Sequence, residues 1–528
     1  MDPNTWSADL FQLASQWQEK GLLTRYNVFM AISITVTALY LIHKGISRAR
    51  SFRAPLVGRR FSWEPKWLIG LRFSQYGLEH LMEGCKRFND GIFKVARNDT
   101  DILVIPNRYV DELHSKPEEH ISAIKAHMKN LLGKYSTIDI LQEGNLHTHV
   151  LQTKLTPNLG SLMSTIEEEL RFAMTEEIPS THEDWKDVSI YDIILHLVAR
   201  ISARVFVGQP TCRNQEWLDT SIRFTEHAFL TLAILRRLPK FLHPIVAPLL
   251  PSYWAVHRDL QTAKRIISPI VKQRTADEAS GEPGYKKPTD LLQWMIDVAS
   301  PRDGQPDKLA HRQLVLSLAA IHTTTMAVAY AIYDLCQFPE YVEPLRQEIT
   351  DSLEQDGKWA KTTLTKMHKL DSFIKESQRL SPLVYVLSFQ RIVMQEVTLS
   401  DGTALPKGTH ISVPAAEVLQ GKAFDSSFDG FRYSRRRQNS GEAHKYQFAT
   451  TDKNSLHFGH GKYACPGRFF AAYEIKMIIS HLLMDYDFRF PPGTSRPKVF
   501  SADEVLLPDP STRVLMHRRT DSAHSNCH

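Results

Sequence analysis

Apolar residues return at helical spacing along most of this chain, and only a few short runs alternate as strands do. The first apolar run, Tyr26 to Ile42 (YNVFMAISITVTALYLI), is seventeen residues without a charge. As a helix it spans about 25 Å, the short end of what crosses a bilayer. Lys44, Arg48, Arg50, Arg53, Arg59 and Arg60 follow before the first acid, Glu64, whereas Asp2, Asp9 and Glu19 offset Lys20 and Arg25 ahead of it. That asymmetry predicts a signal anchor with its C-terminal side in the cytoplasm. A cleaved leader would carry the opposite charge order. A buried core helix is the alternative for this segment.

From Phe61 onward helical periodicity dominates. Ile92–Ala96 and Ile102–Ile105 flank Asn98-Asp99 and predict a hairpin, and Val397 to Val413 predicts a second around Asp401-Gly402. Ile190–Val207 and Trp217–Leu235 predict helices, and Thr275–Pro288, rich in Gly, Pro and charge, predicts a loop. Lys308 to Gln337 predicts a helix of nearly thirty residues, apolar on most faces, which belongs in the middle of a large domain. No internal repeat or linker divides the rest. The pattern predicts residues 1–25 ahead of the anchor at 26–42, a basic linker at 43–60, one domain at 61–518 and a polar tail at 519–528. The fold class is mainly α with small β-sheets.

Composition changes this picture little. Over 528 residues the chain is 42% hydrophobic and 23% charged, with a net charge of +6. The charge is spread along the chain, and no reading motif accompanies it, so nucleic acid is not a predicted partner. The five cysteines, Cys85, Cys212, Cys336, Cys465 and Cys527, are far apart and form no CxxC pair. Such a set argues against a disulfide framework and for a reducing compartment around the main domain.

The chemistry concentrates in Phe458-Gly459-His460-Gly461-Lys462-Tyr463-Ala464-Cys465-Pro466-Gly467. A cysteine thiolate is the electron-rich axial ligand that porphyrin iron needs to cleave an O–O bond. Gly461 and Gly467 let the backbone come close to a macrocycle, and N–H groups after Cys465 can point at its sulfur. Phe458 would shield the sulfur side of the ring. A buried structural thiol is one rival. Another is a zinc site of His457, His460 and Cys465, which lacks a fourth ligand at conventional spacing.

The stretch resembles the cysteine-ligand loop of cytochrome P-450 enzymes, F-x-x-G-x-[RH]-x-C-x-G. Two further motifs stand in the family's order. Glu376-Ser377-Gln378-Arg379 has the ExxR spacing, as do Glu168–Arg171 and Glu343–Arg346, but only the first precedes an aromatic segment, Phe428 to Tyr433, and then the cysteine loop. The resemblance implies that Glu376, Arg379 and Arg432 lock the region on the proximal side of the haem. Ala319-Ala320-Ile321-His322-Thr323-Thr324 stands where the family has [AG]-G-x-[DE]-T-[TS], with Ala320 at the glycine position. Ala319 is then a small residue beside the haem, Thr323 the oxygen-side threonine, and His322, in the place of an acid, a possible proton carrier. Tyr463 stands where an Arg or His usually pairs with a haem propionate, and the family's W-x-x-x-R is not evident near His147, His149 and Lys154.

Carried over, the resemblance implies the family's triangular-prism fold and haem b held by Cys465. It further implies electrons from NADPH through a partner NADPH–cytochrome P-450 reductase, with cytochrome b5 as a second donor. Arg435, Arg436 and Arg437 are candidates for docking that reductase. The activity implied is insertion of oxygen from O2 into a C–H bond of a lipophilic small molecule, by an enzyme tethered once to the endoplasmic reticulum membrane. A His at position 322 is similar to fungal enzymes that oxidise terpenoids, so a terpenoid or indole diterpenoid of fungal secondary metabolism is the expected substrate. A polyketide or alkaloid, or a reductase-independent isomerase or dehydratase activity, is the alternative.

Overall fold

The computed structural model describes residues 52–179, 184–281, 284–381, 386–415, 427–497 and 499–520. The expected anchor at 26–42 and Cys527 lie outside them. Helices of eight residues or more are α1 Lys66–Phe73, α2 Gly77–Phe88, α3 Ala123–Asn130, α4 Thr156–Glu177, α5 Ile190–Phe206 and α6 Gln215–Arg236. They continue with α7 Pro251–Ser280, α8 Leu291–Val298, α9 Pro306–Gln337, α10 Val342–Asp356, α11 His368–Leu380 and α12 Arg468–Asp485. The strands are short: β1 Phe93–Ala96, β2 Asp101–Val104, β3 Ile121–Ser122, β4 Lys186–Ser189, β5 Leu387–Val393 and β6 Val397–Thr398, then β7 Ala404–Leu405, β8 His410–Pro414, β9 Tyr486–Arg489, β10 Phe500–Ala502, β11 Val505–Leu507 and β12 Arg513–Arg518.

The long apolar helix α9 is the axis of the main core, as its sequence predicts. By length and composition it could cross a membrane, but 78% of its most apolar window is buried in protein. Helices α5, α6, α7 and α12 pack against it. Between Arg312 and Leu335 every residue is buried except Ala319, Ala320, His322 and Thr323. A helix surrounded by packed side chains therefore opens at one turn only.

The largest sheet has the order β1-β2-β8-β5-β3, beside a three-stranded sheet β4-β12-β9 and two small hairpins. The hairpin around Asn98-Asp99 forms as β1 and β2, with Phe93 opposite Val104. The second expected hairpin is shorter than its sequence suggests: β6 pairs β7, but β8 leaves them to lie parallel to β2 and antiparallel to β5. A buried run such as His410–Pro414 has its partners chosen by the sheet it completes, which local alternation does not encode. Strand β5 carries a bulge between Ser388 and Arg391, with Phe389 at φ 48°. The expected loop at Thr275–Pro288 begins later, because α7 runs on to Ser280 and ends where Gly281 turns left-handed at φ 63°. Thr275-Ala276-Asp277-Glu278-Ala279 is adequate helix sequence once α7 has been nucleated upstream.

Candidate functional site

Cys465 sits between a tight loop and the first turn of α12. Its N–H donates to Phe458 O at 2.8 Å, closing the loop over Gly459 and Gly461, which turn at φ 68° and 75°. A Cβ on Gly461 would come within 3.0 Å of His114, so this position needs its left-handed turn and lack of a side chain together. Gly467 is different. Its φ is −90°, and a Cβ there would meet nothing within 4 Å, so this position faces open space. Burial pushes the Cys465 thiol up, against the N–H groups of Gly467 and Arg468 and the Arg468 charge, which favour the thiolate. Phe458 packs edge-on against Phe448, with centroids 5.2 Å apart.

The zinc alternative does not form. His457 lies on Phe448 O at 2.8 Å, His460 stacks on His114, and no three His, Cys, Asp or Glu side chains converge among the described residues.

Helix α11 brings Glu376 and Arg379 onto one buried face. Arg379 donates to Glu376 through Nε at 2.9 Å and Nη2 at 2.8 Å, a fork-on-carboxylate pair. Arg432 Nε reaches the same carboxylate at 3.3 Å, and the N–H of Asp429 donates to it at 3.0 Å. Both arginines also donate to Ser427 O. The trio is therefore assembled, with the Glu376 side chain fully buried.

Tyr463 does not face an open acceptor. Its hydroxyl donates to Glu118 at 3.4 Å, and the Arg391 guanidinium lies 5.2 Å from its ring. Arg391, on the bulge of β5, is buried, and its Nε has no partner among the described residues. Burial with no paired carboxylate lowers its pKa to about 10. His127 of α3 is near enough to feel that charge. The protein packed around its ring, with the Arg391 charge, lowers its pKa from the usual imidazole value. The sequence reading missed both residues. The signal available was a charge within the strand run Leu387–Val393, which a buried strand tolerates when a partner awaits it.

On α9, the Thr323 hydroxyl donates to Ala319 O at 2.8 Å and lies 3.3 Å from Ala320 O. Its proton is thus committed to the helix, and its lone pairs are left to accept. His322 turns away to α6, with Nε2 3.4 Å from Ile222 O, and burial lowers its pKa to about 4. His147 is also claimed elsewhere, 3.3 Å from Arg312 of α9.

The family model described as cytochrome P-450 matches residues 62–516. The chain belongs to the cytochrome P-450 family. Cytochrome P-450 monooxygenase olcJ of Penicillium canescens is 99% identical over 100% of both chains. An ent-kaurene oxidase of Fusarium fujikuroi is 42% identical over 91% of each. Among solved structures, a retinoic acid bound cyanobacterial CYP120A1 matches with a TM-score of 0.65 at 20% identity, covering 88% of this chain and 100% of that one. That last likeness shows the cytochrome P-450 fold. Membership makes the chain an oxidoreductase, a monooxygenase with haem b on a cysteine thiolate that draws electrons from NADPH through a partner. The residues fit that cofactor: a cysteine closing a loop drawn tight over Gly459 and Gly461, open space at Gly467, and a buried arginine whose Nε has no partner among the described residues. When bound, haem supplies the activation of dioxygen for insertion into a C–H bond.

Proposed function

We propose that this chain inserts oxygen into a C–H bond of a terpenoid or indole diterpenoid in fungal secondary metabolism, with Cys465 as the thiolate ligand. The observation that carries the site assignment is the loop that presents Cys465, closed by its N–H on Phe458 O at 2.8 Å over the left-handed turns at Gly459 and Gly461. Gly461 and Gly467 keep the loop close, and Phe458 covers it. Arg391, with His127 beside it, takes the propionates that Tyr463 does not. Ala319 keeps the opened turn of α9 low, and Thr323 Oγ1 accepts a hydrogen bond from a water or bound ligand there. A proton relay through His322 has to use its neutral ring at physiological pH, since it charges only near pH 4.

The substrate class rests on the relative named ent-kaurene oxidase, because kaurene is a diterpene hydrocarbon. The test uses membranes containing this chain and an NADPH–cytochrome P-450 reductase, supplied with ent-kaurene as the probe. The expected product is heavier by one oxygen. Cys465→Ser is expected to lose both the product and the red-shifted Soret band of the reduced carbon monoxide complex. An unaltered band and full turnover in that variant would overturn the assignment. Oxidation of polyketide or alkaloid probes alone would move the substrate class. Turnover without NADPH would make the enzyme an isomerase or dehydratase.

The proposal extends to the endoplasmic reticulum membrane, with the catalytic domain in the cytoplasm. Besides the uncharged run at 26–42, an apolar face supports it: Trp63 and Trp67 at one end of the fold, and Phe241, Ile245, Leu249 and Trp254 after α6, are all more than half exposed. Asn98, against α1, donates to Arg237 O just past α6 at 2.9 Å, which ties the two groups together. For the reductase, or cytochrome b5 as second donor, the basic trio narrows. Arg437 turns inward toward Asp371 at 3.8 Å, Arg436 lies over Tyr446, and only Arg435 is exposed.

A further inference from the structure

Strand β5 and the cysteine loop meet through an arginine and an aromatic ring. Ser388 of β5 donates through Oγ to Leu456 O at 3.0 Å, so its face of the strand touches the segment that leads into the loop. Ser388 pairs with Val413 and Arg391 with Ile411, so three steps along β5 answer two along β8. Paired residues point to one face of a sheet. The extra residue therefore turns Arg391 to the face of Ser388, where regular alternation would send it to the other. The turn is made at Phe389, whose φ of 48° is one that residues with a Cβ rarely adopt.

On that face the Arg391 guanidinium lies 4.1 Å from the centroid of the Phe389 ring and 5.2 Å from that of Tyr463. Its Nη1 donates to Gln390 O at 2.9 Å, and its Nε is buried with no partner among the described residues. A cation is drawn to aromatic faces most strongly away from water, and Arg391 is buried. Lys462 also lies 5.6 Å from the Tyr463 ring, but it is exposed, where such a contact is weak. Tyr463 is held in its turn. Its hydroxyl donates to one oxygen of Glu118 at 3.4 Å, and Ser122 of β3 donates to the other at 2.9 Å. A cation at position 463 would repel Arg391, whereas a ring there attracts it.

We propose that Tyr463 is a positioning residue for the cofactor: with Phe389 as the second face, its ring steadies the Arg391 guanidinium so that the unpartnered Nε keeps one direction for a haem carboxylate. The ring acts, not the hydroxyl. This inference rests on the proposed role of Arg391 at the propionates.

The test follows haem transfer to apomyoglobin from the haem-loaded native chain, from Y463F, Y463L and R391L, and from the double variant carrying Y463L and R391L. The reduced carbon monoxide spectrum before transfer is the control for thiolate ligation. Phenylalanine keeps the ring, so Y463F is expected to release haem within about twofold of the native rate, and Y463L about fivefold faster. In the double variant Y463L is expected to add nothing to R391L, because the ring then has no guanidinium to steady. Release from Y463F as fast as from Y463L, or a Y463L effect undiminished beside R391L, would overturn the proposal. Native release from Y463L beside fast release from R391L would sink the role of the ring alone. Native release from R391L would instead remove the role of Arg391 on which it rests. Should R391L not take up haem, R391Q takes its place.

Discussion

Arg391 and His322 show how a side chain's surroundings change its meaning. Arg391 is an arginine whose Nε has no partner among the described residues and whose pKa burial lowers to about 10. A carboxylate-bearing cofactor would supply that partner. Arg391→Leu is therefore expected to release haem at least tenfold faster to an acceptor such as apomyoglobin, a difference of about 1.4 kcal/mol or more. Haem retention equal to the native chain would remove Arg391 from the cofactor site. His322 makes its one hydrogen bond to α6 and is neutral above pH 4. His322→Gln keeps a donor for Ile222 O, and product formed per NADPH is expected to stay within about twofold of native. A fall of tenfold or more, with α6 exchange unchanged, would instead establish a proton relay through the ring.

At the scale of elements, the Glu376–Arg379–Arg432 lock joins α11 to the segment that leads into the cysteine loop. Its carboxylate receives both arginines and the Asp429 N–H, so removing it strands two charges in the interior. Glu376→Gln is expected to cost about 3–5 kcal/mol, enough to prevent accumulation of haem-loaded protein. Normal yield and an unchanged melting temperature would show the lock to be dispensable. The same spacing elsewhere behaves differently. Glu343 is 76% exposed though it pairs with Arg346, and Arg171 pairs with Glu167 rather than Glu168. Spacing brings two side chains to one helix face, and packing against other elements decides whether that face is dry.

The whole molecule presents a dry core around α9 and an apolar outer face near α1 and the end of α6. If the face seats on a bilayer, deletion of residues 1–60 leaves weak membrane association. Trp63→Ser, Phe241→Ser and Leu249→Ser together are then expected to remove most of it, since each buried side chain contributes about 1.5–3 kcal/mol. Flotation of the truncated protein with lipid vesicles measures this. Equal flotation before and after the three substitutions would leave the face without a membrane role. The buried carboxyl of Glu474 has a global signature as well. Its pKa rises from 4.5 unfolded to about 8 folded, so the native state holds a proton that the unfolded chain releases between those values. Stability from this group falls as pH rises through that window, and E474Q is expected to gain on the native chain in melting temperature toward pH 8.

Much of this was legible in the chain because it is local. The cysteine loop is ten consecutive residues whose glycines, aromatic and sulfur must lie within a few ångströms of one another in any fold. The length and apolarity of Lys308 to Gln337 likewise required a central helix. The tertiary structure alone decided which Glu–Arg pair was buried, which strand joined β8, that Tyr463 turns to Glu118 with the Arg391 guanidinium over its ring, and that Glu474 meets Ser202 across 272 residues of sequence. The reason is range. Backbone preference and side-chain spacing act over a turn or two, whereas burial and charge partnership depend on surfaces that folding brings together from distant parts of the chain.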